Sequence, residues 1–276
     1  MTDVLTTPWR AFPRGTRSAD HVFGIGDVHG HADLLEAMLD HVRLLPADPD
    51  RASAIVFTGD FVDRGPENMR AIRLAMVCEA EFDRRVILPG NHEQMLLLAM
   101  SDVPNGLDLQ LWYRNGGHAL CDEVDPEGKQ TGASIGAAIR TALPEGFVDL
   151  IRRAPSHHVN GDLLFVHAGI PPYGDRKAFL AQSINDLDRE HWAWIRKPFL
   201  EYQGGWGADG FDRTVVVHGH SIEAERRFET ADETAAVLDR AISHGRINID
   251  AGSFAYRQLA CLEACGDRYR LHVVQR

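Results

Sequence analysis

The sequence predicts an α/β protein in which two sheets pack as a sandwich with helices outside. Three observations lead there. Between residues 21 and 100, an apolar run, a glycine-led polar loop and an amphipathic helix follow one another three times. The back half instead alternates short apolar runs with turn signals such as Asn160-Gly161 and Gly266-Asp267. A chain of 276 residues with 44% hydrophobic and 25% charged content has the composition of a globular domain. We therefore expect one domain over 1–276, with its core at about 21–275.

Residues 1 to 20 carry Thr, Pro, Arg and Gly without period and read as a surface arm. His21 to Gly26 reads as a buried strand, and Ala32 to Leu45 as a helix with Leu34, Leu35, Met38, Leu39 and Val42 on one face. Pro46 and Pro49 end it. Residues 54–58 are a second strand, and Glu67 to Phe82 a second helix. Arg85 to Leu88 is a third strand, followed by a helix whose apolar body is Met95 to Met100. Short connections of this kind make right-handed parallel crossovers. The three loops then share one sheet edge, which gathers Asp27, His29, Asp60, Asp63, Arg64, Asn91 and His92.

Residues 102–155 hold short helical runs near Leu107–Tyr113, Ser134–Arg140 and Phe147–Arg153, and read as a small helical cap. His157–Asn160 and Asp162–Val166 follow as a hairpin. Residues 170–213 are loop-rich and contain the cluster Gly204-Gly205-Trp206-Gly207. Thr214–Val217, Arg246–Asp250, Gln258–Cys265 and Tyr269–Val274 complete a back half expected to be antiparallel.

The formal net charge is -11, which disfavours nucleic-acid polymers and anionic membranes as partners. Bound divalent ions would still let an anionic substrate approach. Cys78, Cys121, Cys261 and Cys265 form no CxxC pair and read as thiols of a reducing cytosol. No secretory h-region and no run of membrane-spanning length is present, so a cytoplasmic protein is expected.

Chemistry concentrates at five strand ends, each placing Gly or Ala beside a metal-competent side chain: Asp27/His29, Asp60, Asn91, His167 and His220. Five such ends without a cysteine ligand indicate a divalent site held by oxygen and nitrogen. A central Asp60 suits the role of a carboxylate bridging two ions. Asp63 and Arg64 follow Asp60 within one loop, and an Arg fork can grip two phosphate oxygens.

Gly26-Asp27-Val28-His29-Gly30, Gly59-Asp60-Phe61-Val62-Asp63-Arg64-Gly65 and Gly90-Asn91-His92-Glu93 resemble the three signature motifs of the phosphoprotein phosphatases, within the calcineurin-like metallophosphoesterases. His167-Ala168-Gly169 and Gly219-His220 extend the likeness over roughly 21–255, closest to the compact bacterial members. The resemblance implies a four-layer αββα sandwich of two mixed sheets. It implies two divalent ions, with Mn²⁺ expected and Fe or Zn as alternatives. Asp27, His29 and Asp60 resemble the ligands of one ion, and Asp60, Asn91, His167 and His220 those of the other. His92 resembles the general acid, oriented by Asp63. Arg64 resembles one phosphate clamp; Arg196, in Trp192-Ala193-Trp194-Ile195-Arg196, is the candidate for the second. Gly219-His220-Ser221-Ile222 lacks the later His of the wider class, which favours the phosphoprotein phosphatase branch.

The function expected is hydrolysis of phosphoserine and phosphothreonine esters, by in-line attack of a water activated between two ions. The substrate would be a phosphorylated protein or a small phosphate ester. One alternative is cleavage of a diadenosine polyphosphate or another nucleotide anhydride, with Trp112, Tyr113, Trp192 or Trp206 stacking the base. Another is a phosphopeptide-binding module without catalysis. His218 reads as structural and His31 as a helix-start residue. Asp250 reads as a turn residue, and Trp192 and Trp194 as packing. His118, His157 and His158 carry no motif.

Overall fold

The computed structural model describes residues 3–101, 106–206 and 212–276. Residues 102–105 of the expected cap and Gly207 of the glycine cluster lie outside the described residues.

The strands are β1 (Asp3–Thr6), β2 (Arg10–Ala11), β3 (His21–Ile25), β4 (Ser53–Phe57), β5 (Arg84–Ile87), β6 (His157–Asn160), β7 (Leu163–Val166), β8 (Val215–His218), β9 (Arg246–Asn248), β10 (Gln258–Cys265) and β11 (Arg268–Gln275). The first sheet runs β1-β11-β10-β3-β4-β5, with β2 also on β11; the second runs β6-β7-β8-β9. β3, β4 and β5 are parallel, as the three crossovers require. β10 and β11 make the antiparallel hairpin read from Gly266-Asp267. Both sheets are mixed, and the class is the α/β sandwich expected.

Side-chain alternation separates the layers. Val22, Ala54, Val56, Ala260 and Leu262 of the first sheet meet Phe165, Val215, Val217 and Ile247 of the second. Phe23, Ile25, Ile55 and Phe57 point the other way, onto helices α1 (Ala32–Arg43), α2 (Asn68–Val77) and α3 (Asn91–Ala99). Each such side chain contributes about 1.5–3 kcal/mol by leaving water. Gly24 sits where the sheets touch, and a Cβ there would meet the Phe165 ring at 2.8 Å. The outer face of the second sheet is covered by Trp192, Ile195, Phe199 and Trp206.

The cap comprises α4 (Gly106–Trp112), a π turn (Tyr113–Gly117), α5 (His118–Val124), α6 (Ala133–Ala142) and α7 (Phe147–Arg153). Its Trp112, Leu120, Ile139 and Phe147 share one core with Met95 and Leu96 of α3 and with Met100 just after it. Thus it packs onto the first helical layer.

Three expectations are corrected. The surface arm of residues 1–20 is partly sheet: β1 and β2 both pair with β11, and Thr7, Phe12 and Thr16 are buried. Each strand is too short for a period to show. The back half is not all antiparallel, because β7, β8 and β9 run parallel. Long connections at 167–214 and 219–245 carry the chain back across the sheet, which a hairpin cannot do. The helix expected to reach Phe82 ends at Val77 and continues as a 3₁₀ turn over Cys78–Glu81. No helix among the described residues is long and apolar enough to cross a membrane.

Candidate metal centre and active site

The carboxyl ends of β3, β4, β7 and β8, and the loop after β5, converge on one cleft between the sheets. Backbone conformation marks it. Seven described non-glycine residues have positive φ, and five are His29, Asp60, Asp63, Arg64 and His220. Such strain costs of order 1 kcal/mol per residue and gathers where function needs an otherwise poor geometry.

Asp60 stands at the centre. Its Oδ1 lies 3.4 Å from His167 Nε2, and its Oδ2 lies 3.5 Å from His29 Nε2. The two oxygens therefore face two different groups of donors. On the first side, Asn91 Oδ1 is 3.0 Å from His167 Nε2 and 2.9 Å from His220 Nδ1. Two ligands about 2.1 Å from one cation, and about 90–110° apart, are separated by about 3.0–3.4 Å. The donors stand at the spacing that a shared cation sets. On the other side, His29, Asp60 and His92 bring donor atoms within 4.8 Å of one another. Asp27 is turned toward the second sheet: its Oδ2 accepts the N–H of His220 at 2.9 Å, and a side chain at Gly219 would collide with its Oδ1.

The histidine tautomers follow from the neighbours. His29 Nδ1 donates to Val62 O at 3.0 Å and His167 Nδ1 to Thr58 O at 2.8 Å. Each Nε2 is left with its lone pair toward the cleft. Burial, then the charge of His92 for His29, holds His29 well below the usual imidazole range. Burial likewise lowers His167 and His220, which keeps them neutral. Burial pushes Asp27 well above the carboxylate range, helped by Asp250 and Asp60. Burial would also raise Asp60, but His167, His92 and His29 outweigh it and hold it low.

These residues fit divalent cations. Asp27 Oδ1 is buried without a hydrogen-bond partner, a costly state for an atom that could ligate. The donors are carboxylate, amide oxygen and imidazole, which suit Mn, Fe or Zn.

Beside this group, His92 Nδ1 lies 2.7 Å from Asp63 Oδ2, and both side chains are buried. Burial would lower His92, but Asp60 and the bond to Asp63 outweigh it and raise it. Its Nε2 has no partner and lies 3.9 Å from Asp60 Oδ2. Arg64 places Nη1 3.1 Å from His29 Nε2 and stacks its guanidinium 4.0 Å over the Phe254 ring. Arg196 donates from Nη1 to Ser221 Oγ at 3.0 Å. Burial lowers Arg196, and its charge is felt next by Asp250, Asp60, Arg64 and Asp27. All ten residues singled out by motif thus border one cleft.

Several roles were missed in the sequence. Glu93 accepts the N–H groups of Gly90, Asp60 and Phe61 and so fixes two loops. Its sequence signal was its place after His92, three residues beyond a glycine N-cap. Trp112 Nε1 reaches Asp63, and Phe254 reaches Arg64 and His29. Neither has a local signal. Asp250 does hold a turn, accepting the Gly252 N–H at 3.1 Å, but its carboxyl is also pushed up to about 7 by burial and Asp60. His218 is structural: burial drives it down to about 3, and Phe199 packs on its ring. His31 is the N-cap residue of α1, as expected. The reading of Trp112, Trp192 and Trp206 as base-stacking surfaces is overturned, since all three are fully buried. Tyr113 alone of that group is exposed, at 53%.

Residues 21–246 match the model of the calcineurin-like phosphoesterase family. Serine/threonine-protein phosphatase 1 of Salmonella typhimurium LT2 is 35% identical over 232 residues, covering 82% of this chain and 92% of that protein. The bis(5'-nucleosyl)-tetraphosphatase PrpE [asymmetrical] of Bacillus cereus 03BB102 is 26% identical, covering 81% of this chain and 87% of that protein. Against serine/threonine-protein phosphatase 2 of Escherichia coli K12, which is 31% identical over 39% of this chain, the match spans 43% of that protein's length. Among solved structures, a cold-active protein-tyrosine phosphatase of a psychrophile Shewanella species superposes with a TM-score of 0.51. It is 18% identical, over 88% of this chain and 75% of that one, which is a likeness of fold.

Proposed function

The chain belongs to the calcineurin-like phosphoesterase family, and from that premise we propose that it is a metal-dependent phosphomonoesterase acting on phosphoserine and phosphothreonine of cytoplasmic proteins. The observation that carries the reading is the His92–Asp63 pair. A buried imidazole held at 2.7 Å by a buried carboxylate, with its Nε2 free toward the cleft, is built to deliver a proton. A serine or threonine alkoxide is a strongly basic leaving group and needs that proton.

Asp27, His29 and Asp60 would hold one cation, and Asp60, Asn91, His167 and His220 the other, with Mn²⁺ as the activating ion. Two cations there would supply Lewis acidity that activates a water and neutralises phosphate charge. Arg64 and Arg196 grip the remaining phosphate oxygens and offset the charge that builds on them in the transition state. As the water oxygen bonds to phosphorus, the bond from phosphorus to the leaving oxygen breaks. His92 Nε2 gives its proton to that oxygen, and Asp63 stabilises the orientation of the ring throughout.

A second reading, cleavage of a dinucleoside polyphosphate, draws support from the likeness to the Bacillus tetraphosphatase. The burial of Trp112, Trp192 and Trp206 weighs against it, since the base would lose those platforms. Mn²⁺-loaded protein given a phosphothreonine peptide and, separately, diadenosine tetraphosphate tests the choice. Faster turnover of the peptide is expected; faster cleavage of the dinucleotide would replace this reading with the second. His92→Asn should retain metal and lose peptide turnover by about 10²-fold or more. Unchanged turnover would remove His92 from the role of acid.

A further inference from the structure

We infer that Trp112 is a positioning residue for proton delivery: its indole N–H, 3.0 Å from both oxygens of Asp63, fixes the carboxylate that orients His92. This rests on the phosphomonoesterase reading above and adds a role for the cap.

Asp63 is fully buried, so its geometry is set by its bonds alone. Oδ2 faces His92 Nδ1, while Oδ1 receives the indole N–H as its one hydrogen bond among the described residues. Without that bond the carboxylate could rotate about its own axis and carry the imidazole with it. A buried indole N–H must find some acceptor, and a nearby carbonyl would do for packing alone. Here it crosses 49 positions of sequence to reach a carboxylate of the active centre. The ring itself is held still. It is 1% exposed, and a side chain at Gly117 would collide with its face.

The residues after Trp112 repeat the pattern. Gly116 O accepts the N–H of Arg64 at 3.0 Å, and Asn115 O accepts Arg64 Nε at 3.3 Å. Gly116 has φ of 111°, and any side chain there would strike Arg64. In α5, Glu123 accepts from Asn68 Nδ2 at 2.9 Å, and Asn68 Oδ1 accepts the N–H of Asp63 at 2.6 Å. The stretch from Trp112 to Glu123 thus touches the loop 63–68 at each of its working residues. Two separate effects follow. Loss of the indole N–H should impair the proton transfer. Displacement of Arg64 through Gly116 should impair phosphate binding.

Leaving-group dependence separates this from mere packing. Protonation matters for a phosphothreonine ester and hardly at all for p-nitrophenyl phosphate, whose phenolate leaves unaided. Trp112→Phe should lower kcat on a phosphothreonine peptide by about tenfold or more, and kcat on p-nitrophenyl phosphate by less than about threefold, with bound Mn²⁺ unchanged. Beyond the indole lies an open cleft of about 470 Å³, walled by Leu109, Cys121 and Ile135, so the smaller ring opens no sealed void. Replacing Trp112 by benzothienylalanine, which has sulfur in place of the N–H, keeps the ring area if the Phe variant is unstable. Leu120→Ala, which loosens the same cap core, should slow both substrates alike. Equal losses on the two substrates in the Trp112 variants would overturn the proposal. A His92→Asn variant that showed no leaving-group bias would instead overturn the acid reading beneath it.

Discussion

The carboxylate of Glu93 accepts the backbone N–H groups of Gly90 and Asp60, each at 2.8 Å, so one side chain ties the start of α3 to the loop that carries the central carboxylate. A third bond comes from the N–H of Phe61 at 2.7 Å. Burial and the charge of Asp60 push Glu93 up to about 7 against these bonds. An amide at this position would turn an NH₂ group toward one of the three donors. Glu93→Gln should therefore lose about 1–3 kcal/mol of stability and bind Mn²⁺ about 10–100-fold more weakly. Thermal melting and a calorimetric metal titration read both. An unchanged melt would show the carboxylate to be dispensable.

Phe254 is 38% exposed at the mouth of the cleft, with Arg64 stacked on it and His29 edge-on at 5.2 Å. A partly exposed stack of this kind contributes about 0.5–1 kcal/mol. Phe254→Leu should raise KM for a phosphomonoester two- to fivefold by about that energy, with kcat little changed. Phe254→Tyr should restore the wild-type KM. A fall in kcat at constant KM would mean that the ring acts elsewhere.

The clustered donors around Asp60 predict strong coupling between metal and stability. Chelation should lower Tm, and Mn²⁺ at about 100 times its Kd should return about 2.7 kcal/mol. In Asp60→Asn, metal analysis should find fewer than two ions per chain and a Tm that barely responds to Mn²⁺. Two ions retained by that variant would contradict the bridging role.

A second buried polar group lies far from the cleft. Glu263 meets His21 at 2.9 Å and His272 at 2.8 Å, His272 meets His41 at 2.9 Å, and Arg270 also reaches Glu263. Thr6 and the N–H of Asp48 close its ends. Burial, then the neighbouring His272, pulls His41 down to about 4; burial also lowers His272. The folded protein binds fewer protons than the unfolded chain between that value and the ordinary 6.5, so stability falls as pH falls through this window. Burial would raise Glu263, but His21, His272 and Arg270 hold it low, so its stabilising charge is lost on further acidification. Melting followed from pH 7 to pH 2 should decline, and Glu263→Gln should flatten the part of that decline below the ordinary glutamate value of 4.5. A parallel curve for the variant would exclude the cluster as a source.

The proposed ligands Asp27, Asp60, His167 and His220 were legible because each lies within three residues of the end of a strand, β3, β4, β7 and β8 respectively. A strand end fixes where the next residue lies, whatever the rest of the chain does. Trp112 and Phe254 were not legible in that way. Their partners lie 49 and 190 positions away for Asp63 and Arg64, and nothing local distinguishes an indole that caps a carboxylate from one that fills a core. The parallel order of β7, β8 and β9 was hidden for a related reason. Runs of four or three residues do not say whether the long segments between them double back or cross over.

The strand order of the first sheet also bears on how the chain is made. β3 lies between β4 and β10, yet β10 begins only at Gln258. During synthesis, the edge of β3 that carries Val22, Phe23 and Ile25 stays without a neighbour until residues 258–265 have left the ribosome. An open apolar edge invites pairing with other chains. Ribosome-bound chains halted before residue 258 should therefore stay protease-sensitive, and the β10–β11 hairpin is the step that covers that edge.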